Sequence, residues 1–293
     1  MRLVTFREAG VEGLAIERPD RRLLATAVLG GGLPTTMAAL VASGPSGLAA
    51  VRAAYLAAPP DVPSVDPADV QIMAPLPRPA KIIAVGLNYH DHAVEGGVPV
   101  PAEPMLFAKF STSVVGDGAA VVWDPALTDA VDIEAELGVV IGRTARHVSE
   151  AEALSYVLGY TCINDVSARD LQAADKQFVR AKSLDTFCPM GPVLVTADEI
   201  PDPQQLTIRG IVNGHAEQDS NTSQMVFSVA RVIAFCSRAF TLEPGDVIAT
   251  GTPAGVLTYR KPRVMLHDGD TMTIEIEGIG RLTNTCREVR VEA

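Results

Sequence analysis

The chain has 293 residues, 47% hydrophobic and 20% charged, enough to bury a sizeable core in one large domain or in one large and one small domain. Lys and Arg number 24 against 35 Asp and Glu, a net charge of −11 with no basic run, which argues against nucleic acid or an anionic membrane as partner while leaving room for a small anion in a local basic pocket. Cys162, Cys188, Cys236 and Cys286 contain no CxxC pair, which speaks against a zinc knuckle or redox couple and fits reduced thiols in the cytoplasm.

Residues 1–71 read as a small α+β domain. Strands are expected over 1–6 and 13–17 about a turn at Ala9-Gly10, helices over 37–43 and 46–58, and a proline-bearing linker over 61–67. The start lacks the long apolar core of a signal peptide. The apolar stretch 23–59 is cut by Gly30-Gly31-Gly32, Pro34 and Ser43-Gly44-Pro45, so no uninterrupted run spans a membrane. With no cluster of His, Cys or acids, this module is expected to be structural and to cover an edge of the domain over 72–293.

Residues 81–86 form a short apolar strand leading into Leu87-Asn88-Tyr89-His90-Asp91-His92-Ala93-Val94-Glu95. His92 and Glu95 are three apart and share a face on a helical turn. A carboxylate there holds the imidazole's tautomer and raises its basicity, which suits a general base acting on water, though the spacing also occurs in simple surface pairs. Gly96-Gly97 and Val98-Pro99-Val100-Pro101 suit a lid. The strand 105–110 places Lys109 between Phe107 and Phe110.

Val131-Asp132-Ile133-Glu134-Ala135-Glu136-Leu137-Gly138-Val139-Val140-Ile141 alternates with period two, so Glu134 and Glu136 face one way and the apolar residues the other. The pattern fits a strand with one wet face. If buried, the two carboxylates need something positive between them, and a divalent cation is the economical choice. A helix is expected from Ser149 to about Val157, capped by Ser149 and Glu152, and a strand over 159–164 ends at Asp165. If a helix begins at Asp165, then Asp165, Arg169 and Gln172 form one stripe able to hold a metal and a substrate carboxylate; Asp165 capping the helix and pairing with Arg169 is the plainer reading. Lys182 lies in a mixed apolar and hydroxyl-bearing segment, where it could stabilise an enolate or simply face solvent.

A loop is expected over 188–192, a strand over 193–196, and a hairpin about Asn213-Gly214. Residues 228–240 read as a core helix. Gly251-Thr252-Pro253-Ala254-Gly255 lacks the ending of a phosphate loop, but its N–H groups and Thr252 hydroxyl suit a carboxylate. Residues 271–277 and 280–284 read as a closing hairpin.

Taken together, these segments resemble the fumarylacetoacetate hydrolase family over residues 72–291. The matching pieces are Gly86-Leu87-Asn88-Tyr89 with His92 and Glu95, Phe107-Ala108-Lys109, Glu134-Ala135-Glu136-Leu137, Asn164-Asp165 with Arg169 and Gln172, Ala181-Lys182-Ser183, and Gly251-Thr252-Pro253. The resemblance implies an α+β fold, a mixed β-roll or sandwich-like catalytic domain behind a small N-terminal domain, usually in a homodimer. It implies Glu134, Glu136 and Asp165 as ligands of Mg2+ or Mn2+, with Ca2+ an alternative. His92 and Glu95 would activate water, Lys182 would steady enolate charge, and Lys109, Arg169, Gln172 and Thr252 would hold a small oxo or dioxo carboxylate. The leading expectation is hydrolysis of a C–C bond in acylpyruvates or related 2,4-diketo acids. Oxaloacetate decarboxylation and 2-oxo acid isomerisation at the same site are the alternatives, and a non-catalytic binding protein is a third.

Overall fold

The structure, a computed structural model, describes residues 1–290; residue 291, the end of the expected resemblance, lies outside them. Two sheets pack as layers. The larger centres on Ala135–Ile141, antiparallel to Val157–Asn164 on one side and Val247–Ala249 on the other. All seven residues of Ala135–Ile141 are buried, because both faces of this strand are covered. Leu137, Val139 and Ile141 point into a core shared with Ile208, Ile274, Ile276 and Leu282 of the smaller, five-stranded sheet. Val140 points the other way, into a core with Met37, Leu40, Val41 and Val51 of the helix Met37–Ala57.

Residues 1–71 extend the larger sheet. Arg2–Glu8 pairs antiparallel with Cys188–Thr196 and with Val11–Glu17, so one sheet runs through both parts of the chain. The helix Met37–Ala57 is long and apolar enough to cross a membrane by length and composition. Gly44, at φ 61° and followed by Pro45, breaks it into two shorter pieces, with one flank on the sheet.

The expected continuous strand over 131–141 is interrupted. Val131–Asp132 pairs with Ser167–Ala168, and only Ala135–Ile141 joins the large sheet. Side chains take over the backbone bonds at the break: Ile133 N–H donates to Asp132, and Glu134 N–H to Asn164 Oδ1. The helix expected up to Val157 is only Glu150–Ala153 plus a short 3-10 turn, and the next strand starts at Val157 because Ile141 pairs with it. Residues 188–192 are strand instead of loop: Cys188–Thr196 runs through, with Pro192 beside a register shift in its pairing with the strand carrying Tyr160 and Cys162. The hairpin about Asn213-Gly214, the helix Val229–Ala239 and the closing pair Thr271–Ile276 and Gly280–Glu288 form as expected.

Candidate metal centre and active site

Glu134, Glu136 and Asp165 arrive from three backbone contexts. Glu134 lies in the strand break, Glu136 inside Ala135–Ile141, and Asp165 just past Val157–Asn164. Antiparallel pairing of those strands, together with Asp165 N–H donating to the Glu134 carbonyl, draws the acids together. Each offers a carboxylate oxygen within 4.8 Å of the others, and all three are buried. They lie at one side of a cavity of about 490 Å³, also lined by His92, Lys182, Arg169, Gln172 and Thr252.

Cations compensate part of this charge. Lys182 Nζ donates to Glu134 Oε2 at 2.6 Å, Asp165 Oδ2 at 2.8 Å and Ser167 Oγ at 2.7 Å. An ammonium has three protons, so Lys182 has no donor left in this arrangement and acts on an occupant through its charge. Lys109 Nζ reaches Asp165 Oδ1 at 2.5 Å and the carbonyls of Lys182 and Phe187. Lys109 is fully buried and does not line the cavity, so it braces the acid from behind rather than meeting a substrate. Arg169 Nη1 pairs with Glu134 Oε1 at 2.7 Å and donates to Gln172 Oε1 at 3.0 Å.

Burial raises the Glu134 carboxyl, but the Lys182 and Arg169 cations outweigh it and hold the group down at about 2. Glu136 goes the other way. Burial, then the nearby Asp165 and Glu134 charges, push it well above the usual carboxylate range. Its Oε2 accepts Gly251 N–H at 2.9 Å, but no cation lies within 4.0 Å among the described residues. Three buried oxygen donors with one uncompensated carboxylate suit a hard divalent cation. Mg2+ or Mn2+ fits this donor set.

The expected stripe of Asp165, Arg169 and Gln172 is not helical. Ser167–Ala168 is extended and the helix is Arg169–Asp175. The three residues meet at the cavity nonetheless, and the plainer pairing of Asp165 with Arg169 does not form: Asp165 takes the two lysines, and Arg169 takes Asp132 and Glu134.

His92 and Glu95 share a face of the helix His90–Gly96, with Nδ1 at 3.3 Å from Oε2. An ionised carboxylate only accepts, so Nδ1 carries a proton; in the neutral imidazole Nε2 is then the nitrogen with the lone pair. Glu95 Oε1 accepts Gly255 N–H at 2.9 Å, which fixes the dyad to the 251–255 loop. Thr252 Oγ1 accepts from Gln218 Nε2 at 2.7 Å, and the residue also lines the cavity. His90 is exposed and does not line the cavity.

Sequence reading missed Asp132. Fully buried, it accepts from Arg169 Nε at 2.8 Å, Leu257 N–H at 2.8 Å and Thr258 N–H at 3.1 Å. It also missed Tyr259, whose ring centroid is 5.9 Å from that of His92, and Arg263, both lining the cavity. Asp132 stands two residues before Glu134 in the quoted strand, but its partners lie 37 and 125 residues away, beyond any local pattern.

Residues 81–287 match the family described as Fumarylacetoacetate (FAA) hydrolase C-terminal. The human protein named "Oxaloacetate tautomerase FAHD2A, mitochondrial" is 45% identical over 254 residues, 86% of this chain and 80% of that protein. A solved fumarylacetoacetate hydrolase from psychrophilic Exiguobacterium antarcticum superposes with a TM-score of 0.85 at 36% identity, covering 99% of this chain and all of that one. Maleylpyruvate hydrolase from Sphingobium sp. SYK-6, solved with manganese(II) and pyruvate, superposes with a TM-score of 0.80 at 31% identity, with the same coverage.

Proposed function

This chain belongs to the fumarylacetoacetate hydrolase family, and on that premise we propose that it is a divalent-metal-dependent tautomerase interconverting the keto and enol forms of oxaloacetate or a close 2-oxo acid. The observation that carries this reading is a braced base in the same cavity as the acid cluster: His92, held by Glu95, lines it together with Glu134, Glu136 and Asp165. The identity to the human tautomerase moves isomerisation ahead of hydrolysis.

A Mg2+ or Mn2+ ion held by Glu134, Glu136 and Asp165 would act as a Lewis acid on the 2-oxo group. The chain's own groups handle the proton. His92 Nε2 takes a proton from C3 of the keto form; the C–H electron pair becomes the C2–C3 double bond, and the carbonyl pair moves onto oxygen. The fixed charges of Lys182 and Arg169 favour that oxyanion over the neutral ketone. The same proton, returned from Nε2 to oxygen, gives the enol and restores the base. Gln172 and the Thr252 hydroxyl orient the acid, and Tyr259 covers His92.

Adding the metal-loaded enzyme to enol-oxaloacetate should speed the decay of enol absorbance without releasing pyruvate or CO2. Pyruvate with CO2 would mean decarboxylation instead, and no effect on the decay would overturn the reading. Hydrolysis of acylpyruvates is the second reading. It is favoured by the His92–Glu95 dyad, which suits water activation, and it predicts pyruvate with an organic acid. We further propose a homodimer, supported by the exposed apolar side chains of Val94, Met105 and Phe110, and a cytoplasmic setting, supported by four buried free cysteines.

A further inference from the structure

Lys182 has no donor left, and Arg169 spends Nε and Nη1 on Asp132, Glu134 and Gln172, with its buried Nη2 unpartnered among the described residues. Lys182 and Arg169 each donate to two acids. Arg263 differs. It lines the same cavity but is exposed, so it stands at the mouth. Among the described residues it has no acid within 4.0 Å, and its Nη2 lies 4.0 Å from Met265 Sδ. Asp170 is the one acid of the lining outside the ligand set, and its Oδ1 already accepts from the Thr128 hydroxyl and Leu171 N–H. The segment carrying Arg263 is anchored to the centre: Asp132 binds Leu257 and Thr258 N–H with one carboxylate and Arg169 with the same group.

We propose that Arg263 is a specificity-determining residue that binds the distal carboxylate of a dianionic substrate, so that the cavity selects 2-oxo dicarboxylates over 2-oxo monocarboxylates. The proposal rests on the reading that the acid cluster takes the 2-oxo acid end. The two anionic groups of such a substrate then meet two separate positive sites: the loaded centre inside and a guanidinium outside. Its planar fork matches a carboxylate in two-point contact, which a methyl group cannot supply. An occupant spanning both ends would bring the mouth arginine out of bulk water and strengthen the pair.

The test compares 2-oxoglutarate with 2-oxopentanoate, in which a methyl replaces the distal carboxylate, by calorimetry on the Mg2+-loaded protein. Arg263→Ala should weaken 2-oxoglutarate about tenfold and leave 2-oxopentanoate within about twofold, with Arg263→Lys in between. For oxaloacetate turnover, KM should rise while kcat changes little. Equal weakening of both ligands, or of neither, overturns the inference. Because the binding contrast needs no turnover, a wild-type protein that discriminates the two ligands and loses that discrimination in Arg263→Ala, yet leaves enol-oxaloacetate untouched, would sink the tautomerase reading and uphold the role of Arg263.

Discussion

Glu136 is the carboxylate that most needs a cation. Its neighbours Glu134 and Asp165 have Lys182 between them, whereas Glu136 has one backbone N–H and two like charges nearby. Glu136→Gln keeps the size and an acceptor for Gly251 but removes one charge from a crowded buried cluster. Metal affinity should fall at least about tenfold, while the metal-free protein should be no less stable than wild type. Calorimetric metal titration, with melting scans in chelator and in Mg2+, checks both, and an unchanged affinity would return the residue to an ordinary buried acid. His92→Ala separates the other function of the cavity. It removes the base without touching a metal ligand, so turnover should fall by about 100-fold or more with metal binding retained; full activity would exclude His92 as the base. The placement of both residues at one cavity was legible in the chain because each depends on a short spacing. Asp132 was not, because its hydrogen bonds define its role and they join three distant segments.

At the scale of elements, the 251–255 loop supports both halves of the site. Gly251 N–H holds Glu136 and Gly255 N–H holds Glu95. Both glycines have positive φ, +94° and +103°, and a Cβ at Gly255 would stand 2.0 Å from the Glu217 carbonyl oxygen. Backbone cannot yield as a side-chain tip can, so Gly255→Ala must shift either the loop or the strand His215–Asn221. The expected cost is about 1–3 kcal/mol of stability, read by urea unfolding, with a larger fractional loss in kcat than in metal affinity, since the displaced donor serves Glu95. A variant with wild-type stability and kcat would show the loop to be slack. The loop was visible as carboxylate-binding, though not that its glycine N–H groups bind the protein's own Glu136 and Glu95 while Thr252 meets Gln218. The stripe of Asp165, Arg169 and Gln172 reached the right place for the wrong reason: residues 167–168 pair with 131–132 as strand, and that pairing aims the three side chains, not helical periodicity.

At the scale of the whole molecule, alternation and turn residues identified most strands, while sheet order depended on pairings between distant segments. The join between the N-terminal part and the rest is the main case, since Arg2–Glu8 completes an edge that would otherwise be Cys188–Thr196. A second tie runs from the helix Met37–Ala57 to the turn after that strand: Arg52 makes a two-point contact with Asp198, at 2.7 and 2.6 Å. The Arg52 hydrogen bonds hold the Asp198 carboxyl well below the usual carboxylate range against a smaller opposing effect of burial. A lowered folded value means that the pair's stability is fully present above the unfolded value near about 3.9 and is lost as pH falls towards the folded one. Both side chains are more than a third exposed, so water screening limits the contribution to less than about 1 kcal/mol. Asp198→Asn should therefore lower stability slightly at pH 7, and the gap between variant and wild type should close as pH falls below about 4. It should also narrow in about 1 M salt. Urea unfolding across that range checks the sign, because a gap that widened on acidification would mean that the protonated, not the ionised, carboxyl supports the join.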